Sequence, residues 1–431
     1  MTRALNVALV DDDRDLSLKP ADLEVFRIKA QNVASDRPLG REAVDAVIIA
    51  ASDGGRAQEL AILHAGSGRG RPPVILISET ETPPDGFDGW LRRPVSPVQL
   101  ANRVQSLRRL WVMEDIARRR KAAAEVFGHT TDDDTLGPKQ ATVLFVGAAT
   151  SRFMAVRHAL AKNDTTMIAA FSSFSAFDYL HERPFDAVIL NAIEKKDMAF
   201  TISSAMRRNA RLYHTPVLLL TASAQFEAAD EAFARGVSDI LPAESSPGEI
   251  SARVLRLAEE RRRRRAAKAV LENCRARATI DTEFGLYKPK FALAHLQDLL
   301  TAANRNRKPA SLVLMAMDPP ESGVSWERFN SAQQQFASML RHLLRAEDFP
   351  VHLRPNLFAA ILPYTNREGA LCVAERISAV AECTAFDSDD PLHPFRLNVN
   401  CVALEAAGEE TSEALVERGM KLLNVNRMEA I

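Results

Sequence analysis

The stretch Val44–Ala50, VDAVIIA, returns almost unchanged at Phe185–Asn191 as FDAVILN, and this repetition decides the fold. Each copy is a short apolar run close to helical sequence, which is typical of a buried strand in a parallel sheet. Two further pairs match in the same order: PVILIS (Pro73–Ser78) with PVLLLT (Pro216–Thr221), and SPVQLANRVQSL (Ser96–Leu107) with SPGEISARVLRL (Ser246–Leu257). The sequence therefore predicts a tandem repeat of one α/β domain of about 120 residues, an ordinary domain size.

The repeats divide the 431-residue chain into predicted domains. The first repeat is expected over 1–127, and a polar, acidic linker that contains Gly and Pro over 128–140. The second repeat and a long connecting helix are expected over 141–276, and a third α/β domain over 277–431. The connecting helix carries five arginines, Arg261–Arg265, which are expected to be solvated; a nucleic-acid contact is the alternative.

Composition is that of a globular protein, with 46% apolar residues and a net charge of -1. This balance gives no bulk attraction to nucleic acid or to an anionic membrane. No apolar run approaches the roughly 20 residues of a membrane span, and the amino terminus is too acidic for a secretory signal. The cysteines have no metal-ligand spacing and are expected to be reduced thiols; they are Cys274, Cys372, Cys383 and Cys401. We expect a soluble, cytoplasmic protein.

The first repeat resembles a response-regulator receiver domain. That family phosphorylates an Asp after strand three, holds Mg²⁺ on an acidic pair after strand one, and completes the site with Ser or Thr and with Lys-Pro. Asp11–Asp13 and Ser78 fit this pattern, whereas Ala50 stands at the nucleophile position and Arg93-Pro94 at the Lys-Pro position. We expect no phosphorylation at Ala50, and leave open a cation at Asp11–Asp13.

The second repeat resembles the same family but keeps less of its site. Gly147 and Ala148 replace the acidic pair, and Asn191 stands at the nucleophile position. Ala243 replaces the Lys, so that only Thr221 matches. Both repeats are therefore expected to serve as scaffold or dimerisation modules rather than as phosphate acceptors.

The third domain resembles the GGDEF domain of PleD-like diguanylate cyclases over nearly its whole length. The matching segments are DTEFGLYKPKF (Asp281–Phe291), LVLMAMD (Leu312–Asp318), FAAILP (Phe358–Pro363) and ALCVAERISAVAE (Ala370–Glu382). The resemblance implies an α/β fold class with two flavodoxin-like receiver domains followed by a GGDEF, nucleotidyl-cyclase-like domain.

The residues of the cyclase reaction are replaced in this sequence. The family uses an Asp-x-Asp strand end and a Gly-Gly turn with carboxylates, which hold metal ions and let the backbone approach GTP. Here Ala316 replaces the first Asp and only Asp318 stands, while the turn is Arg354–Phe358, RPNLF, without glycine or carboxylate. Asn330 is a weak candidate for guanine contact. We expect from this that the chain is not an enzyme and has no catalytic residue, metal or cofactor.

The family's allosteric site for cyclic di-GMP is retained in sequence. It comprises an Arg-x-x-Asp five residues before the turn and a further Arg in the next helix, and Arg345, Asp348 and Arg376 match it. Arginine donates two parallel bonds to guanine O6 and N7, and Asp accepts from the guanine N1–H and amino group. The plain alternative is a turn salt bridge, as for the second Arg-x-x-Asp of the chain, Arg183 and Asp186.

The resemblance implies a cyclic di-GMP effector that acts through protein partners. The implied partners are a proteolysis adaptor or cell-cycle proteins, and nucleic acid is not expected as a partner. The protein is expected to be a homodimer without a membrane span, located in the cytoplasm and at a cell pole. Two rivals are a residual diguanylate cyclase and a ligand-independent scaffold.

Overall fold

A computed structural model describes most of the chain. The described residues are 4–16, 18–39, 44–66, 70–82, 84–130, 140–193, 195–222, 229–319, 324–390 and 392–429, without the side chains of 424–429. Three sheets with flanking helices confirm the predicted α/β class. No helix in these ranges is both long and apolar enough to span a bilayer.

The first sheet has five parallel strands in the order β2-β1-β3-β4-β5. This is the order of flavodoxin-like folds, in which the carboxyl ends of the strands form the site edge. The strands are β1 (Leu5–Asp11), β2 (Ile28–Asn32), β3 (Ala46–Ala50), β4 (Val74–Ser78) and β5 (Gly89–Arg92). The helices are α1 (Ala21–Glu24), α2 (Gly54–Ala65) and α3 (Pro97–Val126).

The second sheet repeats this topology as β7-β6-β8-β9-β10, again fully parallel. Its central strands are buried along their length because helices cover both faces. The strands are β6 (Ala141–Val146), β7 (Thr165–Ala170), β8 (Ala187–Asn191), β9 (Val217–Thr221) and β10 (Asp239–Pro242). The helices are α4 (Ser151–Ala161), α5 (Ser173–Glu182), α6 (Lys196–Arg208), α7 (Ala229–Ala234) and α8 (Pro247–Asn273).

The third sheet is antiparallel, in the order β12-β13-β11-β14. Its β-α-β-β-α-β succession is that of the ferredoxin-like split βαβ arrangement. The strands are β11 (Ala310–Met317), β12 (Phe349–Arg354), β13 (Leu357–Pro363) and β14 (Val399–Glu405). The helices are α9 (Pro289–Asn306), α10 (Trp326–Leu343), α11 (Arg367–Cys383) and α12 (Ser412–Glu429).

The chain divides into two compact units. One comprises Val112–Asp133 and Ala267–Ile431, and the other comprises Ala4–Trp111 and Asp134–Ala266. Helix α3 continues beyond the repeated segment Ser96–Leu107 to Val126, and its second half belongs to the unit of the third sheet. The predicted domain boundaries stay predictions, and residues 131–139 of the predicted linker lie outside the described residues.

A buried polar network joins the two repeats inside the second unit. Asp239 on β10 accepts a bond from Gln99 Nε2 at 2.7 Å and another from Arg253 Nη1 at 2.7 Å. All three side chains are at least 95% buried, and the Arg253 guanidinium stacks 4.5 Å above the ring of Trp90. Since a buried carboxylate needs its donors, this network ties α3 and α8 to β10.

Candidate functional site

The residues Arg345–Asp348 form a tight turn, here called the RAED turn, between α10 and β12. The backbone N–H of Asp348 donates to the carbonyl of Arg345 at 3.1 Å, which closes the turn. In return, the backbone N–H of Arg345 donates to Asp348 Oδ2 at 2.9 Å. The Arg345 side chain is exposed, so the turn holds its own acid and presents its arginine to solvent.

The carboxyl group of Asp348 is only 4% exposed. Burial raises its pKa to about 7, and the neighbouring Glu347 adds to the rise, against the hydrogen bond from Arg345 and the charges of Arg345 and Arg120. Near neutral pH the group is therefore divided between its protonated and ionised forms. Only the ionised form accepts from both donors of a guanine edge.

Arg376 lies next to the same turn, although it comes from α11. The helix begins after Asn366, whose side chain accepts a bond from the backbone of Gly369. From this helix Arg376 Nη2 donates to the carbonyl of Leu343 at 2.7 Å, two residues before the RAED turn. The structure thus brings the second predicted arginine to the backbone just before the RAED turn, and the guanidinium remains exposed.

The hairpin turn between β12 and β13 explains how RPNL can close without glycine. Arg354 pairs with Leu357, so Pro355 and Asn356 make a two-residue loop. Asn356 takes φ of 61°, and Pro followed by a residue with positive φ is typical of a type II turn. The Asn356 carbonyl also accepts a bond from the backbone of Met317 at 2.9 Å, which ties the turn to the end of β11.

Asp318 follows β11 beside this hairpin turn. Its Oδ2 accepts bonds from Asn398 Nδ2 at 2.5 Å and from Asn400 Nδ2 at 3.3 Å. Asn330, the weak guanine candidate, donates to Glu283 Oε1 at 2.7 Å. Within the described ranges, no three His, Cys, Asp or Glu side chains cluster in a way that could hold a metal ion.

The acidic cluster Asp11–Asp13 is bonded to cationic side chains of its own repeat. Asp13 Oδ2 accepts from Arg93 Nη2 at 2.7 Å, and Asp12 Oδ2 lies 3.4 Å from Arg56 Nε. The two arginines therefore provide the positive charge that a bound cation would otherwise bring to this cluster. The expectation of a scaffold role stays a prediction.

The nucleophile positions lie at the ends of equivalent strands. Ala50 is fully buried at the end of β3, where its carbonyl accepts a bond from the backbone of Asp12 at 3.0 Å. In the second repeat, Asn191 packs against Gly147 so closely that a Cβ on Gly147 would lie 2.6 Å from the Asn191 Cβ. Gly147 also has φ of 153°, so an acidic residue fits that position badly.

Comparison with known proteins places this geometry in context. No family profile matches the chain. The chain is 26% identical over 361 residues to response regulator PleD of Caulobacter vibrioides, which covers 80% of this chain and 78% of that protein. The α/β fold with parallel sheets and this similarity agree with the predicted fold class.

Several of the solved structures to which the chain is similar contain GGDEF domains. One is the coiled coil and GGDEF domain of DgcB from Caulobacter crescentus in complex with c-di-GMP (17% identity, TM-score 0.34, 37% of this chain and 85% of that one). Another is diguanylate cyclase SiaD in complex with its activator SiaC from Pseudomonas aeruginosa (18% identity, TM-score 0.34, 36% of this chain and 60% of that one).

The comparisons correct one prediction. We expected that the chain is not an enzyme, and the similarity to response regulator PleD contradicts that prediction. The prediction relied on substitutions at one turn and one strand end. Such substitutions change individual ligands, and they leave the Asp318 carboxylate beside the hairpin turn, so they do not establish inactivity.

Proposed function

We propose that this response-regulator-like protein is a receptor for cyclic di-GMP, which binds at Arg345, Asp348 and Arg376. The observation that carries the proposal is the 2.7 Å bond from Arg376 to the Leu343 carbonyl, since it brings an arginine of α11 beside the RAED turn. The arginine of α11 and the arginine and carboxylate of the RAED turn are therefore proposed to form one site.

The charges of this site match a cyclic dinucleotide. An exposed guanidinium can donate two parallel bonds to guanine O6 and N7, stack on a purine face or pair with a phosphate. The ionised carboxylate of Asp348 accepts from the guanine N1–H and amino group. The alternative, in which Arg345 and Asp348 form only a salt bridge within the turn, does not account for the nearby Arg376 or for the exposed side chain of Arg345.

The proposed output is control of protein partners. The ligand favours one arrangement of the chain that a partner recognises, which is a population shift driven by differential affinity. The order of two receiver-like repeats and a GGDEF-like domain resembles PopA, a paralogue of PleD, and with that resemblance we propose a role in cell-cycle regulation and regulated proteolysis. A homodimer, a cytoplasmic place and localisation at a cell pole belong to the same proposal.

The test is calorimetric titration of cyclic di-GMP into the full chain and into Arg345→Ala and Arg376→Ala. We expect each substitution to weaken binding at least about tenfold, because each removes a charge-assisted pair of bonds. Arg183→Ala is the matched control, because Arg183 belongs to the other Arg-x-x-Asp motif. This variant is expected to bind cyclic di-GMP with the affinity of the unsubstituted chain. Equal affinity in all four proteins would exclude this site.

Diguanylate cyclase activity is the second candidate, favoured by the similarity to PleD and by Asp318 beside the hairpin turn. A carboxylate there can hold a metal ion that assists attack on the GTP α-phosphate. Incubation with GTP and Mg²⁺, with the products separated by chromatography, measures it. Product that disappears in Asp318→Ala supports this candidate, and no product from the unsubstituted chain rejects it.

A further inference from the structure

Arg120 is a buried cation on the second half of α3, in the same unit as the RAED turn. Its side chain is only 2% exposed, although arginine is rarely buried without compensation. Three of its bonds run to the backbone of the turn: Nη1 donates to the Ala346 carbonyl at 3.3 Å, and Nη2 donates to the Glu347 carbonyl at 2.7 Å and to the Asp348 carbonyl at 3.3 Å. Nη1 also lies 3.5 Å from the Tyr287 hydroxyl.

These bonds complete the hydrogen bonding of the turn. The fourth carbonyl, that of Arg345, already accepts the backbone N–H of Asp348. All four carbonyls of the RAED turn are thus held, three of them by one planar guanidinium. Because the guanidinium is rigid, it fixes the relative positions of three successive peptide groups more closely than a flexible ammonium would.

The surroundings of Arg120 hold its guanidinium in place. It lies 4.9 Å from the ring centre of Phe349 and 5.5 Å from that of Tyr287, and these two rings stack on each other at 3.8 Å. Both rings are buried, so a cation over them is desolvated and its interaction is strengthened.

The helix that carries Arg120 is fastened to this unit on both sides of the arginine side chain. Tyr364 donates its hydroxyl to Asp115 Oδ2 at 2.5 Å, and Arg119 Nη1 donates to Asp298 Oδ2 at 3.1 Å. Ile116 and Ala124 enter the same apolar core as Phe349. Contacts other than those of Arg120 therefore also hold this part of the helix in the unit.

We propose that Arg120 is a positioning residue for the dinucleotide site, which sets the backbone of the RAED turn so that Arg345 and Asp348 can engage the ligand together. This inference rests on the proposed function. The cation also favours the ionised form of Asp348, the form that accepts from guanine. If the affinity for the ligand is higher when Arg120 is bound to the turn, then by linkage the bound ligand stabilises the contact of the second half of α3 with the turn.

The test is titration of cyclic di-GMP into the full chain across pH 6 to 9. Arg120→Met keeps an apolar stem and removes the donors and the charge, and we expect affinity to fall about ten- to hundredfold. Arg118→Met is the control on the same helix, because Arg118 is half-exposed and pairs with Asp115 rather than with the turn. Thermal unfolding of each variant verifies that it is folded at the temperature of the titration.

The pH profile separates positioning from a merely structural role. The charged groups that act on the Asp348 carboxyl are Glu347 and Arg345 from its own turn and Arg120 from α3. Affinity of the unsubstituted chain should rise as pH rises through about 7, and in Arg120→Met the rise should come at higher pH. Arg120→Lys keeps the positive charge. It should bind cyclic di-GMP with reduced affinity, and the pH dependence of that affinity should be the same as in the unsubstituted chain.

The outcomes distinguish this inference from the proposed function. Unchanged affinity and profile in Arg120→Met, with binding lost in Arg345→Ala, overturn the role of Arg120 and leave the receptor standing. No binding by the unsubstituted chain overturns both. If Arg120→Met does not fold, Arg120→Lys decides, because an ammonium cannot hold three carbonyls in a guanidinium plane and unchanged affinity would contradict the inference.

Discussion

Arg345 and Asp348 are joined twice across one turn, by a 3.1 Å bond between their backbones and by a 2.9 Å bond from the Arg345 backbone to the Asp348 carboxylate. The second bond shapes the turn, and it leaves the Arg345 guanidinium exposed. The residue pair that resembles a ligand motif is thus also a local structural element, so substitutions must separate the two roles.

Asp348→Ala should destabilise the protein more than Asp348→Asn. Alanine leaves the Arg345 N–H without its acceptor, at a cost of about 1 to 3 kcal/mol, whereas the asparagine amide oxygen can still accept. Urea denaturation followed by circular dichroism measures the difference in midpoint. An equal loss in both variants would show that the charge, rather than the acceptor, matters to the turn.

Stability should fall with rising pH because of Asp348. Its folded pKa of about 7 lies above the ordinary value, so the folded state binds the proton more tightly than the unfolded chain does. The resulting stabilisation is present at low pH and is lost as pH rises from about 4 to about 7. Asp348→Asn has no such titration. The unfolding free energy of Asp348→Asn minus that of the unsubstituted chain should therefore increase between pH 5 and pH 8. A constant difference would contradict the buried titration.

Asp239→Ala should destabilise the second unit strongly. It leaves the buried Arg253 without its carboxylate partner, and removing one partner of a buried ion pair costs about 3 to 5 kcal/mol. The change is measured by denaturant unfolding, with the exposed Glu59→Ala as a control that should leave the midpoint unchanged. A small effect at Asp239 would mean that water replaces the lost carboxylate.

Gly147→Ala should destabilise the second repeat by about 1 to 3 kcal/mol, since its φ of 153° and the contact with Asn191 both oppose a Cβ. Adding Asn191→Gly should recover the steric part of the loss, while the backbone part remains. Gly248→Ala, where a Cβ would meet only Ser246 Oγ at 3.7 Å, is the control. Unfolding midpoints of the three proteins measure these effects, and equal midpoints for Gly147→Ala and Gly248→Ala would contradict the prediction.

Local sequence was enough to predict the tandem α/β repeat and several of the strands. The apolar runs Pro73–Ser78 and Pro216–Thr221 contain strands β4 and β9, each of which begins one residue after the start of its run. Strands β2, β5, β7 and β12 were not predicted. All four lie at the edge of a sheet, where a strand does not need the continuous apolar run of a central strand. Sequence likewise named Arg345, Asp348 and Arg376, but could not show that α11 brings Arg376 to the residues before the turn.

The sequence by itself determined which residues recur: two copies of one α/β pattern, and an Arg-x-x-Asp before a turn without glycine. Tertiary structure decided their environment. Burial raises the pKa of Asp348, Asn356 takes the positive φ that closes the hairpin turn, and Arg120 binds carbonyls as far as 228 residues along the chain. No local periodicity encodes such a contact, because it exists only once separate elements have packed together.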